Sequence, residues 1–122
     1  MPTTPNLGLT HVAPGQSAKP TTVNGMADGL DEAIAGLTEK DCSAGGTITL
    51  SLAEWSNMVL HLTGTPGAGF NVVVPTNKKI YIVDNASGQT ATVKTTSGTG
   101  TACSTGTVRI LRCDGTNIVA VV

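Results

Sequence analysis

Residues 109–119 read Arg109-Ile110-Leu111-Arg112-Cys113-Asp114-Gly115-Thr116-Asn117-Ile118-Val119. Two apolar runs meet at Asp-Gly, a pair that tolerates the positive φ values a tight turn demands, so the stretch predicts a β-hairpin. The same grammar recurs upstream. Strand-like runs rich in Val, Ile and Thr occupy 47–52, 58–62, 70–74, 79–83, 90–95, 107–113 and 117–122, spaced roughly 10 residues apart. Turn signals separate them: Thr63-Gly64-Thr65-Pro66-Gly67, Asn85-Ala86-Ser87-Gly88 and Asp114-Gly115-Thr116.

Seven or eight short strands of this kind predict a small antiparallel β-sandwich or jelly-roll-like domain. Leu60, Leu62, Val72, Val74, Ile80 and Ile82 sit at period two and are expected to face its core, with Trp55 and Tyr81 as the large groups nearby. The cluster Cys42-Ser43-Ala44-Gly45-Gly46 is turn-forming. It marks a boundary between an N-terminal segment, residues 1–40, and the β domain, residues 41–122.

Upstream of that boundary, Val23, Met26, Leu30, Ile34 and Leu37 fall at spacings of three and four, which line one stripe of a short amphipathic helix over 22–37. Gly25, Gly29 and Gly36 each cost such a helix about 1 kcal/mol relative to Ala, so it needs a surface to pack on. Spacing close to seven also lets helices of several copies pack along a common axis, while packing against the β domain is an equal alternative. Residues 1–21 hold Pro2, Pro5, Pro14 and Pro20, which interrupt any regular pattern. They predict an extended arm whose Leu7, Leu9 and Val12 need a partner surface and whose Gln16 and Lys19 are the polar residues suited to hydrogen-bond one.

Composition narrows the chemistry. Only 12% of the 122 residues are charged and 2% aromatic, with 15 glycines and threonine the commonest residue. Few charges leave few catalytic candidates. Residues 1–44 carry two Lys against five acids, and residues 45–122 carry five Lys or Arg against three acids. Neither part is basic enough to hold a nucleic acid by counterion release. The opening Met1-Pro2-Thr3-Thr4-Pro5 has neither a basic nor an apolar leader region, and no apolar run approaches a membrane span, so no membrane partner is expected. Cys42, Cys103 and Cys113 are odd in number and contain no CxxC pair; buried thiols are expected.

The arm and helix carry a resemblance. Pro5-Asn6-Leu7-Gly8-Leu9, Gly15-Gln16-Ser17-Ala18-Lys19, Val23-Asn24 and Leu30-Asp31 resemble the start of a family of phage and prophage proteins: a leucine-glycine opening, a glutamine-x-x-lysine step, an asparagine and a short helix ending in leucine-aspartate. Pro20 and Thr21-Thr22 depart from that pattern, where the family usually has acidic and β-branched residues. The β region is similar to modules of phage fibre and capsid-decoration proteins through Leu62-Thr63-Gly64, Val74-Pro75, Tyr81-Ile82-Val83-Asp84-Asn85 and Cys113-Asp114-Gly115-Thr116-Asn117. The resemblance implies a virion component assembled in a bacterial cytoplasm, a homotrimer without cofactor whose N-terminal part attaches to the particle.

Within that frame the leading expectation is a capsid decoration or cement protein that binds the major capsid protein through Leu7, Leu9, Val12, Gln16 and Lys19. The stripe Val23, Met26, Leu30, Ile34 and Leu37 would then join the copies. A head-fibre or tail-fibre component recognising a host surface glycan is the alternative. Enzymatic activity is not expected. Asp28, Asp31 and Glu32 read as a solvated helix face, His11 and His61 belong to no catalytic motif, and Ser97-Gly98-Thr99-Gly100 lacks the lysine of a phosphate-binding loop. A glycan hydrolase would require a placed carboxylate pair, for which Asp84 and Asp114 are the candidates. Lys78 and Lys79 are expected to mark a solvent-facing turn or to blunt an exposed sheet edge.

Overall fold

The computed structural model describes residues 2–5 and 7–122; Met1 and Asn6, the latter part of the leucine-glycine opening, lie outside the described residues. Helix α1 (Lys19–Ala35) carries Pro20 in its first turn, where a missing N–H leaves nothing unsatisfied. It stops at Gly36, whose backbone is extended. The last carbonyls of a helix need donors from elsewhere. Here Met58 N–H donates to Glu32 O (3.1 Å) and Val59 N–H to Gly36 O (3.0 Å), which ties this end of the helix to the β body.

The body follows as β1 (Leu37–Asp41), β2 (Thr47–Thr49), a single helical turn α2 (Leu52–Trp55), β3 (Val59–Thr63), β4 (Phe70–Val73), β5 (Ile80–Asn85), β6 (Ala91–Lys94), β7 (Thr101–Cys103), β8 (Thr107–Cys113) and β9 (Ile118–Ala120). Each of the seven predicted runs holds a strand. The hairpin read at 109–119 is present as β8 and β9, with Cys113 opposite Ile118, Gly115 at φ 103°, and Asp114 Oδ1 accepting from the N–H groups of Thr116 (2.9 Å) and Asn117 (2.8 Å). Two strands, β1 and β7, were not anticipated. Leu37, expected on the helical stripe, is the first residue of β1, and the expected boundary at residues 40 and 41 therefore runs through a strand.

Strands β1 to β6 alternate between two sheets, of order β1-β3-β5-β8-β9 and β2-β4-β6-β7. This corrects the antiparallel expectation. The pairs β1 with β3, β3 with β5, β2 with β4 and β4 with β6 are parallel; only β5 with β8, β6 with β7 and β8 with β9 are antiparallel. The physical reason lies in where each turn leads. A turn after β1, β3 or β5 carries the chain across to the other sheet instead of back along the same one, so neighbours within a sheet are alternate strands that run the same way. The chain winds as a coil: Leu37, Val59 and Ile82 are successive partners in one sheet, and Thr47, Asn71 and Thr92 in the other. The antiparallel β7, β8 and β9 close the C-terminal edges.

Both sheets contribute to one apolar core, which includes Leu60, Leu62, Phe70, Val72, Val74, Tyr81, Val83, Val93, Leu111 and Ile118. Cys42, Cys103 and Cys113 are buried free thiols within it, and burial pushes the Cys42 and Cys103 thiols up from their ordinary pKa. Leu60, Leu62, Val72 and Val74 face inward as expected, with Trp55 half-buried against them. Ile80 and Ile82 do not: Tyr81 and Val83 take the inward positions, leaving Ile80 exposed and Ile82 half-buried on the outer face. In a period-two pattern a one-residue change of phase exchanges the faces.

Candidate functional site

The N-terminal segment forms its own small structure. It was expected to be extended, but the chain turns back on itself between Pro2 and His11. Thr3 and Thr10 form an antiparallel bridge, Thr4 N–H donates to Leu9 O (2.8 Å), His11 N–H to Pro2 O (2.9 Å), and the Thr4 hydroxyl accepts from Leu9 N–H (2.9 Å). A threonine side chain here supplies the acceptor that lets a proline-rich stretch close into a hairpin.

This hairpin lies over α1. A Cβ at Gly29 would collide with the Leu9 side chain, so the glycine that weakens the helix also makes the space into which Leu9 fits. Between hairpin, α1 and α2 remains an open cavity of about 550 Å³, with Leu7, Leu9, Met26 and Leu52 as its large apolar groups and Asp28 and Glu32 among its polar ones.

Of the expected docking residues, Leu7, Leu9 and Val12 are partly covered and Lys19 is exposed. Gln16 is engaged within the chain. Its Oε1 accepts from Ala13 N–H (2.7 Å) and its Nε2 donates to the Thr22 hydroxyl, which fastens the arm to the first turn of α1. Along the expected stripe, Val23, Leu30 and Ile34 stand on α1 with relative exposures of 49%, 48% and 70%, and no residue of α1 is buried. Met26 turns toward the cavity.

The groups considered for chemistry are not brought together. Asp84 lies near the end of β5, and Asp114 lies in the turn beyond Cys113, whose N–H bonds Lys79 O at the start of that strand. Some six residues of extended chain separate the two carboxylates, roughly 20 Å, against the roughly 5–10 Å of a glycosidase pair. Hydrogen bonds from Asn117 and Thr116 hold the Asp114 carboxyl below its ordinary range. His61 stands on the outer face between Glu39 (3.8 Å) and Asp84 (4.0 Å). Among the described residues no group of three His, Cys, Asp or Glu side chains could hold a metal ion.

What sequence reasoning missed is the outer face of the five-stranded sheet. By register, Leu37, Val59, Ile82 and Ile110 form a row across four strands, with Ile80 and Val108 beside it. The signal was present in Ile80-Tyr81-Ile82-Val83, apolar at every position, the pattern of a strand covered on both faces. Comparison with protein-family models, curated proteins and solved structures finds no match.

Proposed function

We propose that this protein is a structural component of a tailed-phage particle, a capsid decoration protein that assembles as an oligomer, a trimer in the leading form, and attaches to the major capsid protein by its N-terminal hairpin. The observation that carries this reading is the contrast within one chain between a tightly packed β coil and a seventeen-residue helix with no buried residue. Short helices are marginal in water unless an apolar face is packed. A helix held at one end, with Leu30 and Ile34 bare, is suited to surfaces that only assembly supplies.

In this reading the labour is divided along the chain. Leu7, Leu9 and Val12 with Lys19 dock on the shell, Gln16 holds the hairpin to the helix in the shape that docks, and the stripe of α1 seats against neighbouring copies. Several such attachments per oligomer raise the effective concentration of each, so modest contacts suffice to hold the shell. No bond is made or broken. Resemblance of the opening and of the β turns to phage proteins supplies the remainder of the support.

The test is the copy number and position of the protein in purified virions that carry its gene, by quantitative mass spectrometry and low-resolution electron microscopy. Hundreds of copies spread over the head are expected. A handful at a vertex or tail would replace the decoration reading with a head-fibre or tail-fibre component, where host glycan binding is the function to assay. Absence from virions would end both.

A further inference from the structure

The outer face of the five-stranded sheet carries an aliphatic row with no counterpart on the other sheet, beside a row of Glu39, His61, Asp84 and Val108. Leu37, Val59, Ile82 and Ile110 cross it in register, and Ile80 and Val108 flank the row. Leu37, Ile80 and Val108 are 57%, 49% and 62% exposed. On the four-stranded sheet the corresponding rows are Thr47, Asn71 and Thr92, and Thr49, Val73 and Lys94. One winding chain with one pleat therefore exposes aliphatic residues on one side and hydroxyl, amide and ammonium groups on the other. Parallel strands are ordinarily covered on both faces, and here Leu37, Ile80 and Val108 are left exposed on one of them.

We propose that this face is the surface through which copies of the chain bind one another. It deepens the proposed function, resting on the self-association in that reading and not on attachment to a particle. Two observations select a further copy as the occupant. First, Leu37, Ile80 and Val108, at 57%, 49% and 62% exposure, leave roughly 300 Å² uncovered, already the size of the largest patch on many monomers. Val23, Leu30 and Ile34 of α1, at 49%, 48% and 70% exposure, add a similar area, and the total of roughly 600 Å² is what each partner contributes at the low end of specific interfaces. Second, the face carries both signs of charge at opposite corners: Glu39 and Asp84 beside His61 at one, Arg112 at the other. An acidic corner of one copy answers the Arg112 corner of another, whereas a partner of single sign would leave one corner unmatched.

Light scattering and sedimentation of the full chain across a range of concentrations test this. The wild type is expected to be a dimer or trimer, and Ile80→Lys with Val108→Lys to associate roughly 100-fold more weakly, the scale of central interface residues. Thr92→Lys, on the opposite face, should leave the mass unchanged. All variants are checked for folding by circular dichroism, and both apolar positions are exposed enough for the charge to be solvated in a monomer. Charge exchange provides the second arm: Arg112→Glu weakens association and Asp84→Arg added to it restores association. A monomeric wild type, an oligomer indifferent to Ile80→Lys with Val108→Lys, or equal weakening by Thr92→Lys would overturn the proposal. A monomer that still decorates particles would overturn it while sparing the virion reading; an oligomer that ignores particles would do the reverse.

Discussion

The two sheets of this molecule share a core and a winding, and differ outside. Thr47, Asn71 and Thr92 form a polar row that water can cover, while Leu37, Val59, Ile82 and Ile110 form an aliphatic row that water covers at a cost. Folding buries the inner faces of both sheets alike, while Leu37, Ile80 and Val108 stay exposed on the outer face of one. Apolar residues exposed in ordered rows point to a second event after folding. Substitutions on either face separate what holds the coil together from what the coil presents.

The largest separation lies between adjacent residues of β5. Tyr81 is fully buried and central, so Tyr81→Ala should cost about 3–5 kcal/mol in urea unfolding. Ile82→Ala, one position on but half-exposed, should cost less than about 1.5 kcal/mol measured on the monomer. The Tyr81 hydroxyl is buried without a hydrogen-bond partner among the described residues, so Tyr81→Phe should be neutral or stabilising by about 1 kcal/mol. Comparable losses at 81 and 82 would erase the distinction between inner and outer faces.

The next effect concerns the joint between the sheets. Asn85, at the end of β5, is fully buried; its Nδ2 donates to Gln89 O (2.9 Å) and Cys103 O (2.8 Å), and its Oδ1 accepts from the Ser87 N–H and hydroxyl. A single amide thus serves the turn leading out of one sheet and a strand of the other. Asn85→Ala leaves two carbonyls without this donor and should cost about 3 kcal/mol, read as a fall in the unfolding midpoint. An unchanged midpoint would mean the sheets are coupled by apolar packing alone.

Much of this was legible beforehand and some could not be. The positions of seven strands and the Asp114-Gly115 hairpin follow from local rules, because β-branched runs and positive-φ turns act over a few residues. Strand direction does not. Alternation of apolar residues is the same in either direction, and Gly, Ser and Asn suit a turn that crosses between sheets as well as one that doubles back. The phase of Ile80-Tyr81-Ile82-Val83 was ambiguous since every residue is apolar, and only pairing with β3 and β8 decides it. Strand β1 was concealed by Leu37, three residues beyond Ile34 and thus in step with the helix. In the arm, Gln16 read as a docking residue because nothing local shows that Ala13 and Thr22 will occupy its amide.

A smaller effect is expected from Lys79, which precedes β5 on the side of the buried Tyr81. Its ammonium sits 4.1 Å from the Tyr81 ring centroid and donates to Asn57 O (3.0 Å) and Ile80 O (3.2 Å), while burial draws its pKa down from 10.5 to about 8. Between about pH 8 and 10.5 the unfolded chain therefore holds a proton there that the folded chain has released. Stability attributable to this residue rises with pH across that window and is flat below it. Burial raises the pKa of Tyr81 and of the Cys42 and Cys103 thiols, which acts in the opposite direction once their unfolded forms begin to ionise near 9 and above. The comparison with Lys79→Met removes those shared terms: the melting temperature of the wild type relative to that variant should climb from pH 8 to 10, and parallel profiles would show that the ammonium is solvated.

The smallest effect completes the contrast of outer faces. Thr92 projects from β6 between Asn71 and Ala102 in the polar row. Thr92→Ile keeps the β-branch and should change stability by less than about 0.5 kcal/mol, since surface substitutions away from special features rarely do more. Its predicted consequence is likewise small in assembly: one aliphatic group in a row of hydroxyls and amides makes no patch large enough to bind a neighbour. Light scattering should show the wild-type mass. If a single isoleucine there were enough to raise the association state, the aliphatic row on the other sheet would owe nothing to its extent and register.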